Sequence, residues 1–185
     1  MSQLNVNTIN ERTSASGVTI DGVLIKDNKL ASGTGNVLQV VSGTDASAVN
    51  ITSTSMTDTG LSASITPSAT SSKILVLVNH NVFCWGPGAV PFAYFEVLRD
   101  STNISGGGSY GIAFGKKAYL HGDGNNYMGV PFAFNSLDSP STTSSITYKT
   151  RARYAGSGSG YVRTAYNDQV DSLIPVSYTH LRAHE

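Results

Sequence analysis

The chain has 185 residues, 13 % of them charged, with acidic and basic side chains in balance at a formal net charge of zero. A nucleic-acid-binding surface needs a basic surplus that this composition does not supply, and no apolar run approaches the roughly 18–20 residues of a membrane-spanning helix. The single cysteine, Cys84, rules out an internal disulfide and a cysteine-based metal site; within Val82-Phe83-Cys84-Trp85 it reads as a small packed hydrophobe.

The first 30 residues read as very short strands broken by polar turns. Val6 and Ile9 flank a polar patch, Val18 and Ile20 alternate around Thr19, and Val23 and Ile25 resume the alternation after Gly22. Period-2 alternation implies one buried face per strand. Two or three apolar side chains per unit cannot offset the ordering entropy of an isolated strand, so the buried face is expected to meet copies from other chains, as in a fibrous, intertwined β shaft. Residues 31–48 form a Gly/Ser-rich linker around one strand, Val37 to Val41. The first residues carry neither the charged n-region nor the apolar h-region of a secretory signal, so none is expected.

From residue 49 the pattern is one of strands and turns. Ile51 to Met56 and Leu61 to Ile65 alternate. Lys73 to Phe83 is the best central-strand candidate and is apolar on both faces near its start, with Ile74, Val76, Val78 and Val82, and Phe95 further on, expected in the core. Val90 to Arg99 places Phe92, Tyr94, Glu96 and Leu98 on one side and Ala93, Phe95 and Val97 on the other. Gly111 to Leu120 and Tyr127 to Phe134 are strand-like, Leu137 to Ser145 is a turn region, Ile146 to Tyr154 alternates, Gly156 to Gly160 is a flexible hairpin loop, and Tyr161 to Tyr166 returns. No segment sustains a 3.6-residue apolar period. The expected fold is all-β, a fibrous N-terminal segment followed by a β-sandwich or jelly-roll-like head. The expected organisation is a shaft over 1–30, a linker over 31–48, a head over 49–172 and a tail over 173–185, where turn glycines cease.

The run from Leu4 to Leu30, above all Thr13-Ser-Ala-Ser-Gly-Val-Thr-Ile-Asp-Gly-Val-Leu-Ile-Lys-Asp27, resembles the shaft-forming segment of tail-fibre and other virion proteins of marine bacteriophages. The stretch from Ile51 to Val78, with Asp58-Thr-Gly-Leu61 and Ser72-Lys-Ile-Leu-Val76, is similar to the head domain that follows such shafts; likeness to trimeric jelly-roll heads is a fold-level analogy. The resemblance implies a homotrimer in the virion, made in the host cytoplasm without a signal peptide. Its implied partners are copies of itself, other virion tail proteins, and a host cell-surface glycan or protein; nucleic acid and membrane insertion are not expected. Ser177 to Glu185 resembles the conceptual translation of a sequencing adaptor, which implies that the tail over 173–185 is non-native and stands in place of the head's true terminal strand.

Signals of catalysis or cofactor binding are weak. Gly106-Gly-Gly-Ser-Tyr-Gly111 has the form G-x-G-x-x-G, but a nucleotide site needs a helix after it, and Ile112-Ala-Phe alternates like a strand. His121-Gly-Asp-Gly-Asn-Asn126 offers Asp123 and Asn125 as oxygen ligands and lacks the rest of a calcium loop. The head carboxylates Asp58, Glu96, Asp100, Asp123, Asp138, Asp168 and Asp171 show no spacing that pairs two of them across a glycosidic bond. Glu96 reads as a strand-surface or interface carboxylate. His80 and Cys84 share a strand face but lie over ~10 Å apart by strand rise, which argues against a dyad. No cofactor, metal or catalytic residue is assigned, and a non-enzymatic protein is expected. The remaining signal is a set of aromatics beside Gly/Asn-rich turns: Trp85, Tyr110, Tyr119, His121 and Tyr127, with Asn125 and Asn126 able to read hydroxyls. These seven are the candidates for receptor or glycan binding, since loops of this composition make adaptable binding surfaces. The rival expectations are a tail-spike glycan depolymerase, and a bacterial adhesin or carbohydrate-binding module.

Overall fold

The computed structural model describes residues 18–20, 23–26, 29–30, 37–87, 92–106, 111–114, 119–120, 125–156 and 158–178, with the backbone alone for 18–30, 113–114, 119–120, 125–127, 130 and 168. The chain is nearly all β, with 63 % of it in strands, as the alternating pattern leads one to expect. Three short strands come first: β1 (Val18–Ile20), β2 (Val23–Lys26) and β3 (Lys29–Leu30). They form an antiparallel meander, with Ile20 opposite Val23 and Lys26 opposite Lys29. The connecting pairs in the sequence, Asp21-Gly22 and Asp27-Asn28, are of the type that two-residue hairpins favour. These strands therefore pair with one another inside one chain.

Thirteen further strands follow among the described residues: β4 (Val37–Val40), β5 (Gly43–Asp45), β6 (Asn50–Ile51), β7 (Thr57–Ile65), β8 (Lys73–Pro87), β9 (Ala93–Arg99), β10 (Thr102–Asn103), β11 (Ile112–Phe114), β12 (Tyr119–Leu120), β13 (Asn125–Asp138), β14 (Ile146–Tyr154), β15 (Tyr161–Arg163) and β16 (Asp171–Tyr178). The smaller sheet has the order β10-β9-β14-β7, with β11 also on β9. In the larger sheet β13 runs along one edge of β8 without a register break. The other edge of β8 is shared: β16 covers Lys73–Asn79 and β15 covers Phe83–Trp85. Outside them lie β4 and β5 on β16, and β6 on β15.

Alternation decides what is buried. In β8, Ile74, Val76, Val78, His80, Val82 and Cys84 point inward, and the residues between them point outward. They meet Leu61, Ala63 and Ile65 of β7, Phe95 and Val97 of β9 and Tyr148, Ala152 and Tyr154 of β14 in one core between the two sheets. Each fully buried aliphatic side chain contributes about 1.5–3 kcal/mol. All five residues expected in the core are buried. The apolar residues on the other face of β8 are not: Leu75 is half-buried and Leu77 is 39 % exposed, because no described layer covers that side.

Two polar contacts tie the strands at the core's margin. Arg99 Nη1 donates to both oxygens of Asp138, at 2.7 and 2.8 Å, and the Tyr148 hydroxyl donates to Asp138 Oδ2 at 2.7 Å. This joins β9 and β14 of one sheet to the end of β13 in the other. Glu96 is buried and pairs at 2.6 Å with Arg151, its registered neighbour on β14.

Several segments differ from the sequence reading. β13 continues through Asp138, four residues beyond the expected strand end. The segment after Val41 supplies a second strand, β5, where one strand was expected. Gly156 and Gly160 pack on a buried phenol: a Cβ at Gly156 or Gly160 would stand 2.0 or 2.2 Å from the Tyr154 hydroxyl oxygen. Leu173 to Tyr178, set outside the head by their lack of turn glycines, form most of β16, with Leu173, Pro175 and Ser177 buried. A strand that alternates and simply passes through the sheet needs no glycine. Residues 1–17, 31–36 and 179–185, on which parts of the shaft, linker and tail readings fall, lie outside the described residues.

The alternation of β8 gives a direct test. Val76→Asp places an unpaired charge in the core and should cost at least about 4 kcal/mol. Asn79→Asp, on the outward face of the same strand, should stay within about 0.5 kcal/mol of wild type. Urea melts of the two variants check the assignment; equal stabilities would overturn it.

Candidate functional site

A chain of buried polar groups crosses the core. His80 Nδ1 donates to Asp171 Oδ2 at 2.5 Å, and its Nε2 meets Thr150 Oγ1 at 2.8 Å. Thr150 Oγ1 in turn meets Thr59 Oγ1 at 2.5 Å, and the Thr59 hydroxyl also reaches Thr150 O at 3.2 Å. Asp171 accepts two further bonds from the backbone N–H groups of Asn81 and Ala165, at 2.7 and 3.0 Å. The order carboxylate, imidazole, hydroxyl is that of a hydrolytic triad. Its surroundings are not. All four side chains are buried, Thr59 occupies the outer side of the Thr150 hydroxyl, and the rings of Phe95 and Phe132 stand 5.5 and 6.4 Å from the imidazole. A reacting group has no place beside the hydroxyl. The chain works as a staple that holds β8 and β16 of one sheet to β7 and β14 of the other. Its pairing of His80 with Asp171, 91 residues apart, has no local sequence signature.

Cys84 lies four residues along β8 on the same inward face. Burial pushes its thiol up to about 12, which suppresses the thiolate that any nucleophilic or ligating role requires. The Tyr148 phenol is pushed up by burial and by the Asp138 carboxylate that accepts its proton. Among the described residues no group of three His, Cys, Asp or Glu side chains comes together as a metal site. Gly111 leads into strand β11, so the G-x-G-x-x-G run is not followed by the helix that a pyrophosphate needs.

The outward face of β8 holds a strip of aromatic rings. Phe83 stacks on Tyr166, centroids 4.4 Å apart and planes 13° apart, and lies 6.3 Å from Tyr161. Tyr161 stacks on Trp85 at 5.7 Å. All four rings are half-buried. Arg163 sits over the Tyr161 ring at 5.7 Å and donates from Nε to Asn50 Oδ1 at 2.7 Å. The strip thus puts partly exposed aromatic surface on this face of the sheet.

Of the seven residues singled out in the sequence, Trp85 is described in full and stands at the end of this strip. Tyr119, Asn125, Asn126 and Tyr127 are placed through their backbones. Tyr119 is opposite Tyr127, Tyr127 opposite Trp85, and Trp85 opposite Tyr161, so four aromatic residues occupy one row across β12, β13, β8 and β15. Asn126 and Asn125 follow opposite Gly86 and Pro87. Tyr110 and His121 lie outside the described residues. Sequence reading did not select Phe83, Tyr161 and Tyr166. Phe83 shares the parity of Trp85 along one strand, which was a usable signal; Tyr161 and Tyr166 join the strip through strand pairing alone.

Asp171→Ala leaves a buried imidazole and two backbone N–H groups without their acceptor and should cost about 3–5 kcal/mol, read as a lower urea midpoint with unchanged slope. A second outcome concerns alkaline pH. The folded values of Cys84 and Tyr148 lie above the ordinary 9.0 and 10.0, so the folded state holds these protons more tightly than the unfolded one. Their stabilisation is complete below pH 9 and is lost as pH rises towards 12, at up to about 1.4 kcal/mol per pH unit for each group. Urea melts from pH 8 to 11 should show that decline, and Cys84→Ala with Tyr148→Phe should flatten it. In the native protein at pH 8, Cys84 should not react with a disulfide reagent.

No protein-family model matches the chain, and no curated protein matches it, so the reading of the site rests on its own geometry.

Proposed function

We propose that this chain is a non-enzymatic bacteriophage virion protein, a tail fibre or related fibre, whose β head attaches the particle to a host surface by binding sugar. The observation that carries the reading is the half-buried aromatic strip of Phe83, Trp85, Tyr161 and Tyr166 on the outer face of the larger sheet. The N-terminal phrase from Thr13 to Asp27 supports placement in a fibre by its resemblance to phage shaft segments. The head is proposed to be a jelly-roll-like sandwich, and the assembly a homotrimer.

The other end of the same face supports assembly. Leu137, Leu75, Val176 and Val40 form one registered row across β13, β8, β16 and β4, with Leu137, Val40 and nearby Leu77 exposed. An uncharged aliphatic patch next to the strand that leads in from the N-terminal segment is the kind of surface that partners cover. In the proposed trimer it meets other copies. Three weak sugar sites on one body, repeated over a particle, then give avidity well beyond each site.

Light scattering should give a trimer for the intact protein, and the double variant Leu77→Asp/Leu137→Asp should weaken it. Trp85→Ala should remain trimeric and folded, and losing one stacking ring should cost each site about 1–3 kcal/mol, by analogy with base stacking. Adsorption of the purified trimer to susceptible cells should fall more steeply than monovalent sugar binding. Unchanged adsorption by a folded Trp85→Ala protein would remove the strip as the receptor site, and a monomer in light scattering would remove the trimer.

A further inference from the structure

The outer face holds a recess beyond the aromatic strip, of about 260 Å3, lined by Asn81, Gly129, Pro131, Tyr166, Asn167 and Gln169. Its floor is the outward side of β8 and β13, and its far wall is the 3-10 turn Tyr166–Asp168. Three features of its construction point to a ligand.

The first is Gly129. It sits inside a 14-residue strand that pairs with β8 in unbroken register from Asn125 to Asp138, so no bulge requires a glycine. A Cβ there would come no nearer than 3.8 Å to the Phe83 ring and 4.0 Å to Val82 O, which is ordinary contact. Glycine weakens a strand interior, and where the strand itself does not need it, it marks close approach by something else. Here its effect is to leave the floor of the recess open.

The second is the wall. Ala165 and Asn167 both have left-handed backbones, with φ of 47° and 58°. Asparagine adopts this conformation readily, whereas for alanine it is costly and persists where the surroundings enforce it. Ala165 N–H is held by Asp171 Oδ2, the oxygen that also takes the His80 proton, and the Tyr166 ring lies flat on Phe83. The wall is thus fixed from beneath before any ligand arrives, which spares a ligand the cost of ordering it.

The third is the chemistry. Three primary amides line the recess, those of Asn81, Asn167 and Gln169, and among the described residues no charged side chain does. Asn81 Nδ2 donates to Val170 O at 3.3 Å. The amides of Asn167 and Gln169 and the Tyr166 hydroxyl have no hydrogen-bond partner among the described residues. Each amide offers both donors and an acceptor, matching hydroxyls that do both. Among the described residues an anion would find no cation here, and it would lose its hydration. The volume lies below the roughly 300–1,000 Å3 of sites for drug-sized molecules, enough for one small ring.

We infer that this recess binds one uncharged hexopyranose unit of a polysaccharide, with the neighbouring units lying along Phe83, Tyr161 and Trp85. The inference rests on the proposed sugar-binding role of the strip and adds the site and the class of sugar. The test is saturation-transfer NMR on the intact protein with methyl glucoside, galactoside and mannoside, and with methyl glucuronide as the charged comparison. Wild type should receive saturation from at least one neutral hexoside and much less from the glucuronide. Gly129→Val, whose Cβ would meet only ordinary contacts and whose side chain suits a strand, should cut the hexoside signal about tenfold with melting unchanged, since occluding a pocket removes its fit. Gln169→Ala, on the exposed rim, is the second variant and should cut it too. Equal signals from wild type and Gly129→Val overturn the recess as the site, as does the absence of any hexoside signal in wild type or equal signal from the glucuronide. If Trp85→Ala alone loses the signal, the recess falls while the strip stands. If Gly129→Val loses it in a protein that adsorbs to no cell, the recess stands and the attachment role falls.

Discussion

The carboxylate of Asp171 is the point on which the architecture of the larger sheet turns. It accepts bonds from His80, from the backbone of Asn81 and from the backbone of Ala165, and so fixes the start of β16, the middle of β8 and the turn between β15 and β16 relative to one another. Through His80 and Thr150 the same bonds reach β14 and β7. A buried polar chain of this kind gains little over well-packed apolar residues, because desolvation offsets most of its Coulombic attraction. What it provides is register. A slip of one residue in β16 would turn Leu173 outward and Ser172 inward, and would carry Asp171 away from every one of its partners. The penalty for leaving those donors unpaired in the core makes the slipped pairing far worse than the native one.

The shape of the outer face follows from that register. Because Asp171 holds Ala165, Tyr166 is delivered to Phe83, and Asn167 and Gln169 stand opposite Gly129 and Pro131. Because β15 pairs with Phe83–Trp85, Tyr161 reaches Trp85. The outer face is therefore shaped by the polar staple on the inner one. The resemblance of the staple to a hydrolytic triad is a consequence of the same chemistry: an imidazole between a carboxylate and a hydroxyl is the arrangement that satisfies all three when water is absent. Catalysis needs the hydroxyl to be open to a substrate, and the staple needs it closed.

Much of the fold was legible in local pattern. The alternation of Ile146 to Tyr154 and of Lys73 onward marks β14 and β8 with the correct inward residues, because a two-sheet core enforces period 2 on both. The pattern misled at residues 173–178, where a proline and polar residues hide a strand whose support comes from β8 and β4, more than 90 residues away in sequence. It also misled at Gly156 to Gly160, where composition suggests freedom and the Tyr154 phenol imposes close packing. The candidate site was half visible. Trp85 stands on the strip, and Tyr119 and Tyr127 share its row, yet the rings that complete the strip, Tyr161 and Tyr166, are brought there by pairing and by a left-handed turn that Ala165 does not announce, being neither Gly nor one of the Asn, Asp and His residues enriched at positive φ.

On the proposed function, the length of β8 sets how binding and assembly coexist. The aliphatic row crosses it at Leu75 and the aromatic row at Trp85, ten residues apart on one unbroken strand, or about 33 Å at the usual rise. In the proposed trimer, a surface that covers Leu75, Leu77 and Val176 leaves Phe83, Trp85 and the recess beside Gly129 clear of it. The spacing also matters for the strength of attachment. Avidity requires that several sites engage at once, which fails when the sites can move out of reach of one another. A binding strip and an assembly patch built on the same strand move as one body, so the distance between sites on neighbouring copies is fixed by the interface and not by a linker. Weak, neutral, hydroxyl-reading contacts, which a chain with so few charges can make, become sufficient when they are presented at constant spacing.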